Sequence, residues 1–218
     1  MKKQILSMVM AGALALSTST VAFAATVSTP TEGVYSSEVS TTGEIKVPTI
    51  SITLSDTTSK KVGLNPYGLK YTVGGVTDGT DAIVNKAETI ENGSDVAIAV
   101  NATTSAEPQG EAVLATAALK GTETTKSVFA YLQIEKGDAI TKKPYDAKST
   151  EHLIFATKAT SKKAMITLDD KNGTAKKATY QILGDVAKKP AKAWASTDFV
   201  NFKIVYQFEP VAATTTTP

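Results

Sequence analysis

Four aromatic residues that stand apart from the apolar runs, Tyr67, Tyr71, Tyr145 and Trp194, are the side chains of this sequence best suited to hold a ligand. An indole or phenol face stacks on the apolar face of a sugar ring while its polar tip bonds a hydroxyl, which is what a carbohydrate-binding module requires. The same residues also serve as plugs at strand ends. Aromatics make up 6% of the chain and are not grouped outside the last apolar stretch, so the packing role is the stronger expectation. Two acidic loops, Asp78-Gly79-Thr80-Asp81 and Asp169-Asp170-Lys171-Asn172-Gly173, gather hard oxygen ligands of the kind calcium takes. Calcium through Asp78, Asp81, Asp169 and Asp170 is the one cofactor the sequence suggests. Neither loop has the alternating ligands and closing glutamate of an EF-hand, and Asp and Asn form turns readily because their side chains bond nearby backbone groups.

Catalytic chemistry finds little purchase. His152 is the sole histidine, it stands beside Glu151, and no Gly-x-Ser-x-Gly elbow or His-Glu-x-x-His helix accompanies it. Hydrolysis would need two carboxylates brought together by the fold. With no cysteine, thiol nucleophiles, thiolate metal sites, disulfides and a lipid-bearing cysteine are all excluded. The expectation is a protein that is not an enzyme.

Those residues must be positioned by an exported chain. Lys2 and Lys3 precede an apolar run from Ile5 to Leu16, and Ala22-Phe23-Ala24 supplies a small-x-small cleavage site, so residues 1–24 read as a signal peptide. That run is too short and too interrupted by Ser and Thr to span a membrane. About 190 residues remain, enough for one sizeable β domain. All 23 basic residues are lysines, and removing the two in the leader leaves 21 against 21 acids, a net charge near zero. Arginine is the preferred fork for phosphate and guanine, so its absence from a neutral chain argues against a nucleic-acid partner.

After a Ser/Thr-rich arm over residues 25–43, period-two alternation predicts strands nearly to the end. Glu44–Leu54 is the first, with Pro48 where its parity switches. Asn65-Pro66-Tyr67-Gly68 is a turn, followed by a strand at Leu69–Val73. Asn92-Gly93 predicts a hairpin joining Ala82–Ile90 to Asp95–Ala102. Ala112–Leu119 reads equally as helix or buried strand. Lys126–Glu135 is apolar on both faces and is placed centrally. Strands follow at Glu151–Thr157 and Lys163–Leu168, and the tight turn over residues 169–173 predicts a hairpin into Lys177–Leu183. Val200, Phe202, Ile204, Tyr206 and Phe208 then alternate with Asn201, Lys203, Val205, Gln207 and Glu209 in a final strand that ends near Pro210. Roughly nine or ten short strands predict an antiparallel β-sandwich of the Ig-like, Greek-key kind, a single domain over residues 44–210 with a disordered tail at 211–218.

Leu64-Asn65-Pro66-Tyr67-Gly68-Leu69, then Ile83-Val84-Asn85, then Thr89-Ile90-Glu91-Asn92-Gly93-Ser94-Asp95-Val96, together with the closing aromatic strand, resemble a pattern in uncharacterised secreted proteins of Firmicutes. The likeness extends distantly to WxL-type cell-wall-binding proteins, from which the chain departs because Ala195 and Ser196 follow Trp194 and there is no second Trp. The resemblance implies an exported all-β surface protein of a Gram-positive cell. Lysine-rich domains of such surfaces sometimes carry Lys–Asn isopeptide crosslinks between first and last strands, and Lys46 and Asn201 fall on those strands here. The expected role is structural or adhesive, with the partner a cell-surface component or a second copy met through an edge strand or the arm. The alternative is a module that binds a cell-wall or environmental glycan.

Overall fold

Alternation at period two becomes strand wherever the chain is described. The computed structural model describes residues 50–55, 62–73 and 75–211, and no helix occurs among them. The leader, the arm, Lys46, Pro48 and the tail beyond Val211 lie outside the described residues. The strands are β1 (Ile52–Leu54), β2 (Gly63–Leu64), β3 (Tyr71–Val73), β4 (Val76–Asp78), β5 (Ile83–Val84), β6 (Glu88–Asn92) and β7 (Ile98–Gln109). They continue with β8 (Ala112–Leu114), β9 (Lys126–Lys136), β10 (His152–Ile154), β11 (Lys163–Leu168), β12 (Lys177–Val186) and β13 (Phe199–Pro210).

The larger sheet has the order β1-β6-β12-β9-β10, antiparallel throughout, with β8 running parallel to the start of β9. The smaller sheet is β11-β7-β13, and two short ribbons, β2-β5 and β3-β4, stand beside them. The two sheets face each other in a sandwich-like arrangement that does not close. Val128, Ala130, Leu132 and Ile134 of β9, with Ala178, Tyr180 and Ile182 of β12, share one core with Val100 and Ala102 of β7, Met165 and Leu168 of β11 and Val200 of β13. Rings cross between the layers edge to face, Tyr180 on Tyr206 at 5.3 Å and Phe155 on Phe202 at 4.9 Å. Each fully buried large aliphatic here contributes about 1.5–3 kcal/mol of transfer free energy.

β9 is an interior strand between β12 and β10, one place from the edge of the larger sheet. Its outer face, Phe129, Tyr131 and Gln133, is buried too, because residues 137–151 return across it as a strap. Gln133 clamps that strap from both sides: its Nε2 donates to the Thr141 carbonyl at 2.7 Å and its Oε1 accepts from the Lys143 N–H at 3.0 Å. The Tyr131 hydroxyl donates to the Lys143 carbonyl.

Two expected hairpins are absent. β6 pairs with β1 and β12, whereas β7 pairs with β11 and β13, so Asn92-Gly93 carries the chain from one sheet to the other. Asn92 is fully buried; its Nδ2 donates to the carbonyls of Val96 and Asp169, and its Oδ1 accepts from the Ser94 N–H. It ties a corner where a hairpin residue would face solvent. The turn at residues 169–173 likewise joins β11 of the smaller sheet to β12 of the larger. The ambiguous Ala112–Leu119 resolves as the short strand β8 followed by bends.

Candidate functional site

The turn after β2 presents the first pair of aromatics. Asn65 closes it with both ends of its amide, Oδ1 accepting from the Leu69 N–H at 2.9 Å and Nδ2 donating to the Leu69 carbonyl at 3.1 Å. Gly68 takes the left-handed conformation the turn needs (φ 63°). The result holds Tyr67 and Leu69 out at 55% and 62% exposure. The chain returning toward β13 places Trp194 beside them, with its backbone N–H donating to the Tyr67 hydroxyl at 3.2 Å. Leu64, Pro66, Tyr67, Leu69, Trp194 and Asp198 line a cleft of about 380 Å³.

This cleft offers an exposed phenol, aliphatic walls and a half-buried indole. The indole N–H is already donated to the Ala187 carbonyl at 2.8 Å, and Trp194 packs on the main core, so it offers a stacking surface and no free donor. Such a surface suits the apolar face of a flat ligand.

The other predicted residues lie elsewhere. Tyr71 falls within β3, and its side chain is not among those described. Tyr145 lines a second cleft of about 440 Å³ with Asp81, Phe129, Tyr131, Lys142 and Leu183. There it meets Phe129 edge-on at 5.4 Å and Tyr131 at 5.3 Å.

The acidic loops spend their oxygens on turns. Asp78 Oδ1 accepts from the Thr80 N–H at 2.6 Å, the Thr80 hydroxyl at 2.8 Å and the Asp81 N–H at 3.4 Å. Those donors, the Thr80 amide foremost, hold its carboxyl far below the usual carboxylate range. Asp81 forms an ion pair with Lys142. Asp169 Oδ2 accepts from the Ala175 N–H at 3.0 Å, and Asp170 Oδ1 accepts from the N–H groups of Asn172 and Gly173 at 2.8 and 3.1 Å. Among the described residues no group of three or more His, Asp or Glu side chains is gathered as a metal would need.

His152 is buried at 2% exposure, against the rings of Tyr131 and Tyr145. Its Nδ1 accepts from the Asp146 N–H at 2.9 Å, and its Nε2 meets no hydrogen-bond partner among the described residues. Burial pulls its pKa below the ordinary 6.5, outweighing the pull of Glu151 and Asp146 in the other direction.

The sequence reading missed a charged cluster beneath the first cleft. Lys126 opens β9 with its side chain 7% exposed, and its Nζ lies 2.6 Å from Asp198 Oδ2 and 2.9 Å from Glu111 Oε2. Asp198, 2% exposed at its side chain, also accepts from the Glu111 N–H at 2.9 Å through Oδ1 and from the Ala195 N–H at 2.7 Å through Oδ2. Lys126, followed by those two amides, pulls the Asp198 pKa down to about 2, and Asp198 and then Glu111 push that of Lys126 up. The one signal available in sequence was a lysine opening a strand that is apolar on both faces. Asn201, by contrast, sits exposed on β13 opposite Glu107.

The chain matches no protein-family model, no curated protein and no solved structure.

Proposed function

We propose that this chain is an exported, non-enzymatic β-sandwich of the Ig-like, Greek-key kind, a structural or adhesive component of a cell surface that associates with a second copy of itself through β13. The observation that carries this reading is the position of β13. Twelve residues long, it pairs in unbroken register with β7 and has no other neighbour among the described residues. A long edge strand presents a row of backbone donors and acceptors that a second strand satisfies.

Its side chains favour an antiparallel partner of the same sequence. On the exposed face, pairing centred on Tyr206 sets Lys203 opposite Glu209 and Val205 opposite Gln207; on the inner face it sets Ile204 opposite Phe208. A lysine in mid-strand guards an edge against promiscuous pairing, and this register turns the guard into an attraction worth about 0.2–1 kcal/mol for each opposed pair. Glu209 already binds Lys162 at 2.7 Å, so Lys203 would join an existing pair.

Light scattering behind size exclusion, with negative-stain imaging at rising concentration, tests the association. Dimers are expected, weakened by Lys203→Glu and restored when Glu209→Lys is added. Monomers at every concentration overturn it. Export is tested by the N-terminus of the protein recovered outside the cell, expected at Ala25.

The Trp194–Tyr67 cleft favours a second reading, a module that binds a cell-wall or environmental glycan. A glycan array that stays blank overturns that reading and leaves the first untouched.

A further inference from the structure

We infer that Lys126 and Asp198 condense to an intramolecular amide, with Glu111 relaying a proton. Three segments converge to make the site: the turn between β7 and β8 supplies Glu111, the first residue of β9 supplies Lys126, and the residue before β13 supplies Asp198. The convergence is tight. Gly110 takes φ 65°, and a Cβ there would stand 2.6 Å from both Asp198 Oδ1 and the Thr197 carbonyl oxygen, so the turn is pressed against the loop that holds the aspartate. The nucleophile and its carboxyl are thereby held in contact, Nζ to Oδ2 at 2.6 Å. Reacting groups fixed in this way reach effective concentrations of about 10⁵–10⁸ M, which offsets the disadvantage of condensing an amine and an acid in the presence of water.

Each part of the reaction has a group in place. The ammonium of Lys126 passes a proton to Asp198 Oδ2, 2.6 Å away, and the free amine attacks Cγ of the resulting carboxylic acid. Negative charge gathers on Oδ1, where the Glu111 N–H already donates at 2.9 Å and acts as an oxyanion donor. Glu111 Oε2, 2.9 Å from the attacking nitrogen, takes a second proton from it and hands the proton to Oδ2, so that the Cγ–Oδ2 bond breaks and Oδ2 leaves as water. The nitrogen keeps one hydrogen, the Nζ–Cγ bond remains, and Glu111 ends as it began. Glu111 is half exposed and Asp198 lines the Trp194–Tyr67 cleft, which gives the water a way out.

The environment favours the product. A buried ammonium and carboxylate each carry a desolvation penalty, and a neutral amide abolishes both. Until it forms, each ion holds the other charged, so the first proton transfer is the slow step and the reaction matures after folding. The bond would lock the start of β9 to the root of β13, closing a long loop in a chain that has no cysteine for a disulfide.

Intact mass of the denatured mature protein tests the inference. The expected mass is one water below the calculated value, with a proteolytic peptide pair joined through Lys126 and Asp198. Glu111→Gln, which keeps the backbone N–H, is expected to fold with an unchanged circular dichroism spectrum and to remain at full mass. A wild-type protein at full mass after prolonged incubation overturns the inference. Loss of water without the Lys126–Asp198 peptide also overturns it, since an Asp-Gly step such as Asp78-Gly79 loses water by forming a succinimide. Crosslinking of Glu111→Gln at the wild-type rate overturns the role of Glu111.

Discussion

The Nδ1 of His152 accepts a hydrogen bond from the backbone N–H of Asp146 at 2.9 Å, and this bond exists only while the ring is neutral. Protonation would set an N–H against an N–H and place a charge against the rings of Tyr131 and Tyr145. Glu151 and Asp146 favour that charge, but burial, with Lys143 beside it, opposes it more strongly and leaves the folded pKa below 6.5. The unfolded chain therefore binds this proton first as pH falls, and stability rises with pH across the window between the two values. Denaturation midpoints are expected to level off above about pH 6.5, to fall as pH drops below it, and to lose that slope in His152→Gln. Other carboxylates with lowered pKa, Glu111 and Glu135 among them, act at lower pH, where protonation removes their stabilisation. An unchanged slope in the variant would refute the assignment.

Gly184 lies in β12 opposite Ala130 at φ 150°, a conformation that side chains rarely adopt. A Cβ there would stand 1.9 Å from the Phe129 carbonyl oxygen, a backbone atom of the interior strand β9 that cannot swing aside. Gly184→Ala is expected to cost upwards of about 3 kcal/mol, combining strain with overpacking. Gly137 also has positive φ but open space around it, so Gly137→Ala is expected to cost about 1–2 kcal/mol. Urea titrations that give equal losses would show that the contact with β9 does not matter.

Strands were legible where burial imposes a period. β9 and β13 announce themselves because one is covered on both faces and the other on one, and those demands reach every residue. Sheet membership was not legible. Asn92-Gly93 has the local preferences of a hairpin turn, and nothing nearby in sequence reveals that Asn92 will be buried against the Asp169 carbonyl. The strap over residues 137–151 lacks a period because Gln133 and Tyr131 hold its backbone. Lys126 and Asp198 could be matched only by folding, being far apart in a chain rich in lysine. Trp194 and Tyr67 stand out by residue type alone, yet they lie together, while Tyr145 belongs to another cleft.

Calcium offers a direct test of the acidic loops. Asp78 Oδ1 and Asp170 Oδ1 already accept two or three hydrogen bonds each from their own turns, and Asp81 is paired with Lys142. An ion would have to displace those donors and would gain few ligands in return. Millimolar calcium is expected to leave the melting temperature unchanged, and a rise that chelator reverses would show that the loops do bind the ion.

The cleft and the core separate cleanly by substitution. Leu132 is fully buried at the centre of β9, and Leu132→Ala is expected to cost about 2–5 kcal/mol through lost transfer energy and the cavity left behind. Tyr67 is more than half exposed and lends the fold little beyond accepting the Trp194 N–H, so Tyr67→Ala is expected to change stability by less than about 1 kcal/mol. The same substitution removes the exposed aromatic face of the cleft, and stacking on that face is where a flat ligand would gain its affinity. A glycan that binds the wild-type protein should therefore lose most of its affinity for Tyr67→Ala while the unfolding curve stays nearly in place. Retained affinity would move the glycan site away from this cleft. A large loss of stability would make Tyr67 a brace for Trp194, because only a residue carrying structural weight moves the unfolding midpoint.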